Sequence, residues 1–362
     1  MSKKKRILVS SGIVLLVLIA VGGWAFFHWL GFMLQKPMPV HARYDWKMKV
    51  LGGNGTPGFA DGTSSRFNKP IRLAPFGADA VLVADFNNHA IRVVHLNGQT
   101  ETLAGGPDKR GYQDGPAEKA RFNSPHGVAV RDDGVIAVAE VRNNIIRLIT
   151  PVKTEDAGQQ LRYVVSTLAG TPGETGFRDG PAEKALFRYP HAVAWGPNRE
   201  LYVADIGNAR IREIRAGQVT TMAGTGKFGR EDGPLDTGRL QYPMDLSIDS
   251  DGHLWIADAG TSIIRRYDPG KGLSTPWPDI RLDMPHGLSV APGGSVAIAE
   301  MFANRIVLLK PDNGIIRLCG TGESGPGENQ LNKPAAILIH AGYVWIADLS
   351  NHRILIAEWQ SS

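Results

Sequence analysis

From residue 70 onward, apolar residues come in runs of four to six separated by Gly, Pro, Asn and Asp, a spacing too short for helices and suited to β-strands. One such series is an apolar run at 126–130, the pair Asp133-Gly134, a second run at 135–139 and a third at 145–149. The series recurs six times. Each copy opens on a proline (Pro70, Pro125, Pro190, Pro243, Pro285 and Pro334), and its second run ends on an acid (Asp85, Glu140, Asp205, Asp258, Glu300 and Asp348). The interval from proline to acid is 15 residues in five copies and 14 in the last. A fourth run ends on Gly105, Gly170, Gly224 and Gly320, whereas the fourth copy departs from this near 274–277. Four strands per unit, repeated every 42 to 65 residues, predict an all-β, six-bladed β-propeller, because a single blade cannot bury both of its faces.

Two details refine that prediction. The loops at 111–122 and 176–187 are near copies, in which Asp114-Gly115 and Asp179-Gly180 read as turns. Phe67, Phe122, Phe187 and Leu240 occupy equivalent positions and are expected to plug the gaps between blades. The last copy supplies only three strands before residue 358, and 49–53 (Lys-Val-Leu-Gly-Gly) matches the missing fourth. The N-terminal strand is therefore expected to complete the last blade and remove the open edges.

The pattern before residue 40 is different. Residues 7–27 contain no Asp, Glu, Lys or Arg, and the apolar character runs on to Leu34. That is long enough to cross a hydrocarbon layer about 30 Å thick as one transmembrane helix. The division expected is a basic tip at 1–6, an anchor at 7–34, a linker at 35–43 and the propeller at 44–359. The basic tip orients the N-terminus to the cytoplasm, leaving the propeller periplasmic or extracellular. The alternative is a cleaved signal peptide and a secreted propeller.

Charge then changes the picture. The formal net charge of +5 invites a nucleic-acid reading, but Lys3, Lys4, Lys5 and Arg6 supply four of those charges and the other residues carry +1 in total. No basic footprint for nucleic acid remains. The single cysteine, Cys319, excludes an intrachain disulfide and a multi-cysteine zinc cluster, and it stands where other copies have Ala, as a small core residue would.

The loop after the second strand reads Asp85-Phe-Asn-Asn88-His89-Ala-Ile91-Arg92 in the first copy, with counterparts at 205–212 and 348–354. These stretches resemble the NHL repeat, and the resemblance covers nearly the whole chain after the anchor. It implies that the repeated Asp, Asn and Arg fasten the loop and that His89 and His352 are structural.

In a propeller the first strand of each blade lines the channel, so the residues after each proline form a ring at its mouth: Ile71-Arg72, His126-Gly127, His191-Ala192, Met244-Asp245, His286-Gly287 and Ala335-Ala336. His126, His191 and His286 converging there could hold a divalent metal, zinc best, with a coordination position left open. Glu140 and Glu300 replace Asp in two of the histidine-bearing copies and read as partners that orient His126 and His286, or as proton acceptors. Arg72 reads as an anion clamp and Asp245 as a further ligand or base. The Pro-His pattern resembles the peptidyl-α-hydroxyglycine amidating lyase, which implies zinc held by three blades. Here, however, the histidines lie on blades two, three and five, and the lyase's tyrosine has no counterpart after Asp205. Gluconolactonase-like propellers are similar in architecture, but their Glu, Asn and Asp ligands do not map onto this chain.

Two functions follow. One is a membrane-anchored module that binds a protein or small-molecule ligand at the channel mouth. The other is a metal-dependent lyase or hydrolase with Glu140, Glu300, Arg72 and Asp245 as its catalytic candidates.

Overall fold

The computed structural model describes residues 40, 42–44, 46–152 and 162–359. The basic tip, the apolar 7–34 segment and most of the linker lie outside them. Among the described residues no helix is long and apolar enough to cross a membrane.

Among the described residues six sheets, antiparallel but for one edge strand, follow one another along the chain. Blade 1 runs Pro70–Phe76, Ala80–Asp85, Ala90–His95 and Thr100–Gly105 from channel to rim. Blades 2 to 6 open on Pro125–Val130, Pro190–Trp195, Pro243–Ile248, Pro285–Val290 and Pro334–His340. In every blade the proline faces the repeat's acid across the first two strands, from Pro70 opposite Asp85 to Pro334 opposite Asp348. Ring closure uses the strand at Lys49–Gly52, which pairs antiparallel with Arg353–Glu358 of blade 6. Ala42–Arg43, within the stretch read as linker, adds a short parallel strand to the rim of blade 5. Trp46 lies between these two pairings, 5% exposed and edge-on to Trp359.

Phe67, Phe122, Phe187 and Leu240 are fully buried, three of them in clusters drawn from two adjacent blades and Phe122 in one that joins blades 1 and 2 and continues to Met301 and Ala335. Against three of them lies a feature that hydropathy does not reveal. Arg92, Arg147 and Arg212 are fully buried, each with its guanidinium 5.1 Å from the centre of the Phe67, Phe122 or Phe187 ring. Each arginine joins the acid of its own blade, as in Arg92 to Asp85 at 3.0 Å and Arg212 to Asp205 at 2.8 Å, to an aspartate in the preceding loop. Those loop partners are Asp61, Asp114 and Asp179. The Asp-Gly pairs expected to be turns are thus ion-pair sites. The glycines after Asp114 and Asp179 begin short strands that pair with the rims of blades 2 and 3. A carboxylate held by an arginine and by Thr167 or Thr221 is too constrained to serve as a free turn.

Left-handed residues latch neighbouring blades. His89, Asn144, Asn304 and His352 all have φ near +50°. Their side chains accept the backbone N–H of Ser124, Tyr189, Lys333 and Lys69, each the residue before the next blade's proline, at 2.9–3.1 Å. His89 and His352 are therefore structural here. The glycine ending the fourth strand is required for the same junction: at Gly105 φ is +81°, and a Cβ there would collide with the His89 carbonyl. Gly105→Ala is expected to lower unfolding stability by roughly 2 kcal/mol or more, read as a lower denaturant midpoint.

Candidate functional site

The site is built by position along the six inner strands. The first residue after each proline brings His126, His191 and His286 together, with one ligand nitrogen from each lying within 4.8 Å of the others. The His126 and His191 rings touch, with centroids 3.2 Å apart, and His286 lies 5.8 Å from His126 and 5.4 Å from His191. His126 and His286 are buried, whereas His191 retains some exposure.

Each ring is held by the next strand round the channel. Nδ1 of His126 lies 2.9 Å from the His191 carbonyl, Nδ1 of His191 2.9 Å from the Met244 carbonyl, and Nδ1 of His286 2.8 Å from the Ala335 carbonyl. A carbonyl only accepts, so each Nδ1 carries the proton and each Nε2 keeps its lone pair. Glycine makes two of these approaches possible: a Cβ at Gly127 would lie 2.7 Å from the His191 carbonyl, and one at Gly287 2.5 Å from the Ala335 carbonyl. Nε2 of His126 is buried with no hydrogen-bond partner. Burial and the Arg72 charge hold all three rings below the ordinary histidine range, His286 at about 3, and neighbouring imidazoles add to the effect at His126 and His191. Three neutral imidazoles with free Nε2 atoms, one of them orphaned, are the donor set that zinc and related ions take.

The next residue of each inner strand places Arg72 and Asp245 on opposite sides of the channel, with small residues at the other four positions. Arg72 spans the channel. Its guanidinium pairs with Asp245 and donates to the Met244 carbonyl at 3.0 Å. Asp245 accepts the N–H groups of Leu246 at 2.7 Å and Leu288 at 2.8 Å. The anion clamp and the base expected from the sequence are thus bound to each other. They form a buried bar across the channel beneath the histidines.

Glu140 and Glu300 do not join the cluster. Glu140 accepts from the Asn123 N–H, Asn143 and Arg147 at 2.5–2.7 Å. Glu300 accepts from the Asp283 N–H at 2.8 Å and pairs with Arg305. Asp85 and Asp205 accept the equivalent N–H groups in their blades and Asp348 pairs with its arginine as Glu300 does, so the longer side chain leaves the role unchanged. With its lone pairs committed, neither glutamate orients a histidine.

An apolar collar around the histidines was not singled out from the sequence. The residue after each acid is Phe86, Val141, Ile206, Ala259, Met301 or Leu349. Phe86, Met301 and Leu349 share a cluster with Ile71 and Ala335 of the inner ring. Phe86 meets His126 edge-on at 5.9 Å. The signal was present, since this position is apolar in all six copies.

No family model matches the chain. Among curated proteins it is 29% identical to the Arabidopsis thaliana protein SUPPRESSOR OF QUENCHING 1, chloroplastic, over 61% of this chain and 27% of that protein. It is 25% identical to human NHL repeat-containing protein 2, over 78% of this chain and 45% of that one. The chain thus spans less than half the length of these relatives. A solved auxiliary nutrient binding protein from Bacteroides thetaiotaomicron aligns with a TM-score of 0.61 at 14% identity, over 88% of this chain and 78% of that one. The chain is therefore a six-bladed β-propeller whose homologues include NHL repeat-containing proteins.

Proposed function

We propose that the protein is a ligand-binding propeller whose channel mouth holds a divalent transition metal, zinc best, through Nε2 of His126, His191 and His286. The observation that carries this is the common tethering of all three Nδ1 atoms to backbone carbonyls, which leaves the Nε2 lone pairs free and converging. The bound ion would act as a Lewis acid with an open position for an oxygen or nitrogen of the ligand. The apolar collar would surround that ligand's non-polar part. Binding is favoured over a lyase or hydrolase because the groups expected to move protons are engaged elsewhere, Glu140 and Glu300 in the blades and Asp245 with Arg72. Under this reading the 7–34 segment tethers the propeller to the cell membrane, with the N-terminus cytoplasmic.

The test is metal content. The full chain, purified in detergent without a histidine tag and dialysed against trace zinc, is expected to retain about one equivalent, and His126→Ala and His286→Ala each to lose it. Absence of a stoichiometric ion from the folded wild-type protein overturns the reading.

A further inference from the structure

A second concave site lies far along the sheets from the histidines, between blades 3 and 4. It is a cavity of about 480 Å³. Blade 3 contributes Glu200, Tyr202, Glu213 and Arg215, while blade 4 contributes His253 and Asp268. Tyr202 stands directly opposite Glu213 on neighbouring strands, so both side chains leave the same face of the sheet. Glu200, two residues before Tyr202, shares that face.

Three of these carboxylates are withdrawn from water. Glu200 is 3% exposed, Glu213 9% and Asp268 8%. Oδ1 of Asp268 has no hydrogen-bond partner and lies 3.4 Å from Nε2 of His253, while Oδ2 takes Arg266 at 3.1 Å. Glu200 receives the Asn198 N–H at 2.9 Å. The cation shared by both glutamates is Arg215, which is loosely held. Its guanidinium is 3.0 Å from Glu213 and 3.5 Å from Glu200, and its side chain is 54% exposed. The excess negative charge is felt by Tyr202, whose phenol is pushed up to about 12 by burial and then by Glu200 and Glu213. Asp251 adds a fourth carboxylate at the lining, and Lys271 a second cation.

Buried carboxylates are usually matched by buried cations, as the arginines inside these blades are. Here they line an open cavity, with a half-exposed arginine at its edge. The volume is far larger than a bare metal ion needs, and Tyr202, Met222, Pro197 and Pro269 give it apolar walls. We propose that this inter-blade cavity binds an organic cation, a guanidinium or primary ammonium on a short aliphatic stem, which displaces Arg215 and pairs with Glu213, Glu200 and Asp268. Charge-assisted bonds to a guanidinium are the strongest that such a carboxylate set can form. Arg215 occupies the edge as an intramolecular surrogate for that ligand.

Calorimetric titration of the full chain in detergent with agmatine and putrescine, and with N-acetyl-arginine amide as a stand-in for a protein side chain, tests this. Saturable binding is expected, weakened about tenfold or more by Glu213→Gln and by Asp268→Asn. Arg215→Ala, a change at an exposed position, is expected to tighten binding at least threefold by removing the competitor. Preference for agmatine and putrescine over the capped arginine identifies a free amine as the ligand, and the reverse identifies a side chain of a partner. Lack of binding by all three probes to the folded Arg215→Ala variant overturns the proposal. So does binding that Glu213→Gln and Asp268→Asn leave unchanged, or calcium or zinc saturating the cavity while the amines do not.

Discussion

Arg72→Met is expected to lower the unfolding free energy by about 3–5 kcal/mol, because it strands Asp245 as an unpaired carboxylate in the middle of the channel. Both side chains are about 5% exposed. Adding Asp245→Leu is expected to return most of the loss, since an apolar pair of similar volume needs no solvation. The two N–H groups of Leu246 and Leu288 that Asp245 now accepts would be left over, so recovery should fall short of complete. Chemical denaturation of the two single variants and the double variant reads the coupling directly. The single variant also carries a pH signature. Burial already raises Asp245 above the ordinary carboxylate range, and Arg72 opposes that rise. Without Arg72 the folded state holds the Asp245 proton more firmly. The variant should therefore be most stable below about pH 4, the unfolded value, and lose stability as pH rises through the higher folded value. A variant that is no less stable than the parent at pH 7 would show that the bar is not a buried ion pair.

Removal of residues 46–52 is expected to have a larger effect, loss of the cooperative transition itself. The deletion takes out the closing strand and Trp46, exposes the rim of Arg353–Glu358 and leaves Trp359 without its ring partner. Blade 6 would then present an unpaired edge, and its cluster with blade 5, which includes Trp46 and Ile346, would lose its outer wall. Circular dichroism should report retained β-content with a broad thermal transition, and light scattering should report association. A sharp transition near the parent's midpoint would rule out this strand as the closure.

The repeat was legible in the sequence because proline, acid and terminal glycine each solve a backbone problem that recurs at a fixed place in every blade. Period alone also identified the ring that carries His126, His191 and His286. What period does not encode is the direction in which a side chain is pulled. Glu140 and Glu300 stand beside the histidine strands in register, yet each is drawn away by an N–H 17 residues earlier and by an arginine later in its own blade. The same holds for Asp114 and Asp179, whose Asp-Gly pairs look like turns until the arginines 33 residues later are placed. Arg72 and Asp245 could be recognised as opposed but not as joined, because the bore of the channel is set by Gly127 and Gly287, whose missing Cβ atoms let adjacent strands approach.

The closing strand also imposes an order in time. Lys49 pairs with Ile356, 307 positions later. At the ribosomal pace of about 5–20 residues per second, the first strand waits on the order of 15–60 s for its partner to be synthesised. During that interval five blades can form in sequence on local contacts, but the sixth cannot close the circle. The emerging protein is an open arc with two unmatched ends, and the interval before they meet is when it is most vulnerable to pairing with another copy of itself.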